Sequence, residues 1–172
     1  EFTISVSGRK FQIVLLAKSI DGYKNLMKIT SIVNVENPIE PILRDDVLEK
    51  HSSGLIVLSG GIVGDISNLL LVDPKLALVR LEFYRRIFPD SFYLEINPQL
   101  GYDNSFEMRD ATVLFSRNNH VPLVATWNTH YLHVQDKQAH KILYLVNGEE
   151  HSLEEYNHFF QKDLYNFAAT ID

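Results

Sequence analysis

The 172-residue chain contains no cysteine. Disulfides and thiolate metal sites are thereby excluded, and the composition fits a reducing compartment, for which we expect the cytoplasm. Nor is there a run of roughly 20 uninterrupted apolar residues, so no helical membrane span is expected. Positive charge is also in short supply. Sixteen Lys and Arg stand against 22 Asp and Glu, a formal net charge of -6, and the basic residues form no run. Such a surface repels phosphates, so direct DNA binding by this segment is not expected. A glycine-rich phosphate loop, a His-Glu-x-x-His pair and a nucleophile elbow are all missing, as are repeats and low-complexity tracts.

What is present is globular composition, 45% hydrophobic, enough for a single core. Glu1-Phe2-Thr3-Ile4-Ser5-Val6 alternates polar and apolar residues and reads as a strand, not a signal peptide. A start in mid-strand without Met reads as an excised piece of a longer chain. Residues 7–10 supply a turn and residues 11–16 a second strand, together a hairpin. Apolar residues at Tyr23, Leu26, Met27, Ile29 and Ile32 predict a helix over 22–33. A breaker-rich loop at 37–41 and a short helix over about 44–51 precede the apolar strand 54–58. Helices are predicted over about 64–72 and 74–87, the second opening with Asp73-Pro74 as cap and first helical residue. A strand at 92–96, a helix at 103–118, a strand at 121–126 and helices at 136–146 and 153–167 complete the order. Strands alternating with helices imply a parallel sheet or barrel, with ligands beyond the strands' carboxyl ends.

Those ends offer little. After Thr126, the run Trp127-Asn128-Thr129-His130 places a histidine where a neutral imidazole could ligate a metal; a structural histidine in a polar loop is the alternative. After Ile96 come only amide acceptors, Asn97 and Gln99, and after Leu58 comes Ser59-Gly60-Gly61, read as a tight turn or a weak anion nest. Glu95 reads as a buried general base, or else as a carboxylate that points to the sheet's other face or pairs with a Lys. His51, His120, His140, His151 and His158 are scattered. From this chemistry alone, no enzyme is specified.

Four segments, FQIVLLAKSIDGYKNL (11–26), GLIVLSGGIVGD (54–65), FPDSFYLE (88–95) and VPLVATWNTHYL (121–132), with Ala139-His140-x-x-Leu143 after them, carry a resemblance by order and spacing. Over roughly residues 1–150 the chain resembles the polymerase-and-histidinol-phosphatase (PHP) domains of bacterial replicative DNA polymerase III alpha subunits. The resemblance implies an α/β fold, a distorted TIM-like (βα)7 barrel incomplete here at its N-terminus. It implies that residues 1–172 are a piece of that domain, with 151–172 a less well matched helical extension. It further implies a metal cluster of His, Asp, Glu and Cys at the strand ends, active as a phosphoesterase or proofreading exonuclease in some members and decayed in others.

Carried over position by position, the ligand set is poor. The glutamate of the family's Gly-x-Glu strand falls on Glu1, and its last histidine on His130; these are the degenerate metal candidates. The cysteine of Ser-Gly-Cys falls on Gly61 and the aspartate of Asn-Asp-x-His on Asn128, neither a charged donor. The histidine near 37–40 is replaced by Asn37-Pro38-Ile39-Glu40, and the opening His-x-His is expected upstream of Glu1. A catalytic metal needs about three protein donors. No catalytic residue and no cofactor is therefore expected in this piece, with zinc or manganese binding only if the degenerate site persists and magnesium serving the parent polymerase. The expected role is an inactive structural domain of a DNA-synthesising subunit. The alternative is a metal-dependent phosphoesterase or 3′-5′ exonuclease. Expected partners are the rest of the alpha chain and replisome subunits, with DNA held by other domains and no membrane. A barrel lacking its first strands would expose strand edges, so oligomerisation or an open sheet is expected.

Overall fold

The hairpin at the start sets the direction of everything after it. Phe2–Val6 (β1) and Arg9–Ala17 (β2) pair antiparallel, with Val6 opposite Arg9. The two residues between them, Ser7 and Gly8, both take positive φ, 50° and 78°. That is the mirror-image turn whose twist matches paired strands, and glycine takes up the second position without a steric penalty. A computed structural model describes residues 1–97, 104–127, 129–147 and 156. The chain divides into two compact units, Glu1–Ile96 with Phe106–Ala125, and Asn97–Ser105 with Thr126–Asp172.

In the first unit, six strands form one sheet in the order β3-β1-β2-β4-β5-β6, where β3 is Ile42–Leu43, β4 Leu55–Leu58, β5 Phe92–Ile96 and β6 Leu123–Ala125. Among the described residues β3 and β6 are its edges. The strand–helix alternation predicts a parallel sheet or barrel; the sheet of the described residues is mixed. β1 is parallel to β3, and β4, β5 and β6 are parallel to one another, but β2 is antiparallel to both β1 and β4. The tight turn at Ser7-Gly8 reverses β2, and that reversed strand is the one inserted between β1 and β4.

The register also staggers the strands. Phe2 lies opposite Ile13 while Val14 lies opposite Leu58, so β1 begins at the level where β4 ends. The carboxyl ends of β4, β5 and β6 share one edge, with Leu58 opposite Tyr93 and Ile96 opposite Ala125. Period-two alternation buries Phe11, Ile13 and Leu15 of β2, and the core continues through Ile4, Leu43, Val57 and Leu94.

Helix Ile20–Glu36 (α1) begins where Ser19 accepts a hydrogen bond from the Gly22 amide at 3.0 Å. It buries Ile29 and Val33 and packs along β2, β3 and β4. Its first turn lies against the turn before β4: a Cβ on Gly22 would stand 1.8 Å from the Gly54 carbonyl oxygen. Two of the segments that carry the family resemblance therefore meet at backbone contact distance. Asp45–Lys50 (α2) is short. Asp65–Val72 (α3) and Pro74–Ile87 (α4) pack together, and the Asp73 carboxylate caps α4 by accepting from the Leu76 amide at 3.1 Å. Ser105–Asn119 (α5) follows β5.

In the second unit a 3-10 turn, Val134–Asp136, leads into Lys137–Asn147 (α6). A small cluster buries Tyr131 and Tyr156 against Tyr144. The helix predicted over 153–167 lies outside the described residues, Tyr156 excepted.

Candidate functional site

The carboxyl edge of β4 and β5 is where the fold would place chemistry, and three hydrogen bonds close it. The Ser59 amide donates to the Tyr93 carbonyl at 3.0 Å, continuing the ladder one residue past β4. The Ser59 hydroxyl accepts from the Glu95 amide at 2.9 Å, and the Gly60 amide donates to Glu95 Oε2 at 3.1 Å. Ser59 is fully buried and Glu95 nearly so, at 7% exposure. Glu95 is thus buried and engaged with the loop's main chain rather than on a solvated face. A charged acceptor for a buried amide is a strong use of a carboxylate.

Gly60 is required at this point for two reasons. Its φ is +80°, and a Cβ there would stand 2.0 Å from the Gln12 carbonyl oxygen of β2. The Ser59-Gly60-Gly61 turn is consequently packed onto the sheet by its backbone. Gly61, buried and also at positive φ (55°), brings no donor to the position.

The other expected site residues are distributed as follows. Glu1 is exposed at the start of β1, at the level of β4's end through the stagger. His130 belongs to the second unit, is exposed, and lies 5.1 Å between ring centres from His140, the rings tilted by 43°. Asn128 lies outside the described residues, as does Gln99. Asn97, just past β5, buries its side-chain oxygen with no hydrogen-bond partner among the described residues. His140 Nδ1 lies 3.1 Å from the Tyr156 hydroxyl, which donates to the Lys137 carbonyl at 3.1 Å. Burial lowers the His140 pKa, since the charged imidazolium loses solvent there.

A metal cluster does not fit what the first unit offers: Gly61 has no ligating side chain and Glu95 Oε2 is tied to the Gly60 amide. Among the described residues no group of three or more His, Asp or Glu is arranged to hold an ion.

Among the described residues the largest concentration of buried charge lies elsewhere, and sequence reasoning missed it. Arg80, on α4, donates to Asp65 of α3 (Nε to Oδ2, 2.8 Å) and to Asp45 of α2 (2.5 and 3.2 Å), and its guanidinium also reaches the Tyr84 hydroxyl at 3.0 Å. That hydroxyl donates to Asp65 Oδ2 at 2.9 Å, and Asp65 Oδ1 accepts from the Ile66 amide at 2.8 Å. Arg80 sits over the rings of Phe83 and Tyr84, 4.7 and 4.9 Å from their centroids. Burial pushes the Asp65 carboxyl upward, the adjacent guanidinium opposing it, while Arg80 is held firmly protonated by its partners. The signal was in the sequence: Ala77, Leu81 and Tyr84 define the buried stripe of α4, and Arg80 falls on that stripe. Three short helices are pinned by one side chain.

Comparison with known proteins follows from the same regions. Residues 1–99, holding Glu1, Gly61 and Glu95 but not Asn128 or His130, match the model of the PHP domain. The chain is 32% identical over 146 residues to the DNA polymerase III subunit alpha of Thermus aquaticus, covering 84% of this chain and 12% of that protein. It is 35% identical over 138 residues to the Borreliella burgdorferi subunit (79% and 12%) and 32% over 134 residues to that of Haemophilus influenzae (77% and 12%). The chain thus spans about an eighth of the length of these relatives. With well over half of its residues matched to the domain's pattern, this chain belongs to the PHP domain family.

Proposed function

We propose that this chain is part of a bacterial DNA polymerase III alpha subunit, in which it serves as a catalytically inactive structural domain. The supporting observation is the closure of the β4–β5 edge. The position that resembles a ligating cysteine is Gly61, and the nearby carboxylate of Glu95 bonds the Gly60 amide of the same loop. A site used in this way contributes rigidity to its sheet, while template-directed synthesis, with its magnesium, resides in other parts of the parent. The stagger of β1 against β4 is of the kind that barrel closure requires, and it supports a distorted TIM-like (βα)7 barrel for the complete domain. On this reading residues 1–172 belong to that domain, 151–172 extending it. The parent works in the cytoplasm with replisome subunits, and DNA is held by its other domains. No helix among the described residues is long and apolar enough to cross a membrane.

The test uses the full-length protein, exposed to zinc and manganese, desalted and analysed by mass spectrometry. The expected result is metal at background and no trimming of a primer's 3′ end that depends on His130. Stoichiometric metal, lost together with 3′-end trimming on His130→Ala, would overturn the proposal. It would establish the alternative, a metal-dependent phosphoesterase or 3′-5′ exonuclease.

A further inference from the structure

Helix α1 has two apolar faces and the sheet uses one. Gly22, Ile29 and Val33 face inward, whereas Ile20, Tyr23 and Met27, at i, i+3 and i+7, form a stripe on the opposite side with exposures of 72%, 55% and 47%. A solvated helix face is normally polar, so a second stripe of this length calls for a cover. Beside it runs a groove of about 420 Å³ lined by Lys24, Met27, Lys28, Ser31, Ile32 and His51, the last at the end of α2.

The rim of this groove is cationic in a chain whose net charge is -6. Lys24 and Lys28 are four apart on one face, a like-charge spacing that destabilises a helix. Lys24 has an exposed partner in Asp21 at 3.5 Å, while Lys28 and Lys50 form no ion pair among the described residues. The His51 pKa is lowered, first by burial and then by Lys28 and Lys50, so the cluster's repulsion reaches across from α1 to α2.

We propose that this face of α1, with the end of α2, docks an acidic amphipathic helix of a protein partner. Apolar side chains at helical spacing would cover Tyr23 and Met27 and enter the groove, and flanking carboxylates would meet Lys24, Lys28 and Lys50. A second copy of this chain fits less well, because a symmetric contact sets the same lysines against one another. The inference is independent of whether the β4–β5 edge is catalytic.

Fluorescence anisotropy on the full-length protein tests it with two synthetic helical probes. One carries Leu at i, i+3 and i+7 with Glu between; in the other every Glu is Lys. Saturable binding of the acidic probe alone is expected. It should weaken with added salt and by at least about tenfold in the double variant Lys24→Glu, Lys28→Glu, and similarly in Met27→Asp. All three positions are exposed, and an unchanged circular dichroism melt verifies the fold. Equal binding of both probes, no saturable binding, or binding that neither variant weakens would overturn the proposal. So would a concentration-dependent dimer in sedimentation that Met27→Asp dissolves, which would assign the face to a second copy.

Discussion

Asp65 and Glu95 are both buried carboxylates of the first unit, and they are held by different kinds of neighbour. Asp65 meets a guanidinium, a phenol and a backbone amide, and through Arg80 it ties α2, α3 and α4 together. Glu95 bonds a loop amide two residues past β4, and its own amide is bonded by Ser59 in return. The first arrangement neutralises a charge by assembling distant elements; the second uses a charge to finish one turn. Removing a partner from the first therefore strands an ion in the core, whereas removing the Glu95 carboxylate deprives the Gly60 amide of its acceptor.

The largest effect is expected for Arg80→Ala. Breaking a buried pair from one side costs about 3–5 kcal/mol, because the other charge is left without compensation. Thermal or urea unfolding measures it, and the double replacement Arg80→Met with Asp65→Leu should recover most of the loss. A single-variant cost under about 1 kcal/mol would place Arg80 among surface-like pairs and erase the contrast. Next in size is Glu95→Leu. With the Gly60 amide left buried and unpaired, about 1–3 kcal/mol should be lost, and exchange of that amide should accelerate relative to the α4 amides. Amide exchange at Gly60 unchanged in this variant would show that the turn closes without the carboxylate.

The smallest effect belongs to the second unit. The His140 pKa is lowered below its ordinary 6.5 by burial, so the folded form binds fewer protons than the unfolded chain near that value. Its contribution is fully present above pH 6.5 and declines as pH falls below it. Hydrogen exchange across α6 should therefore quicken between about pH 7 and 5.5 after correction for the intrinsic rate, and His140→Gln should flatten the step. An identical pH profile in the variant would assign the change to other groups.

Much of the fold was legible along the chain, for reasons that differ by element. The alternation in 2–6 and 11–16 marked β1 and β2, and Asp73-Pro74 marked the start of α4 at the residue observed. Helix α1, Ile20–Glu36, extends beyond the predicted 22–33 at both ends, and at its start the Ser19 cap lies four residues before Tyr23, the first periodic residue. β3 was not seen: two residues, Ile42 and Leu43, between Pro41 and Arg44 are too few to show a period. At the edge of β4 and β5, the family resemblance set Gly61 where a ligating cysteine is expected, but nothing along the chain showed where Glu95 points. A side chain's partner across 35 residues depends on register, which local pattern does not encode.

The sequence by itself determined the order of elements, the tight turn that reverses β2, the acidic surface and the family to which the chain belongs. Each of these follows from local periodicity, backbone preference or residue identity. Tertiary structure alone decided that β2 would be inserted between β1 and β4, that Gly22 and Gly54 would meet backbone to backbone, and that the buried Asp65, Arg80 and Tyr84 would share one network with the half-exposed Asp45. Those outcomes depend on which surfaces bury one another, and burial is a property of the assembled chain rather than of any segment within it.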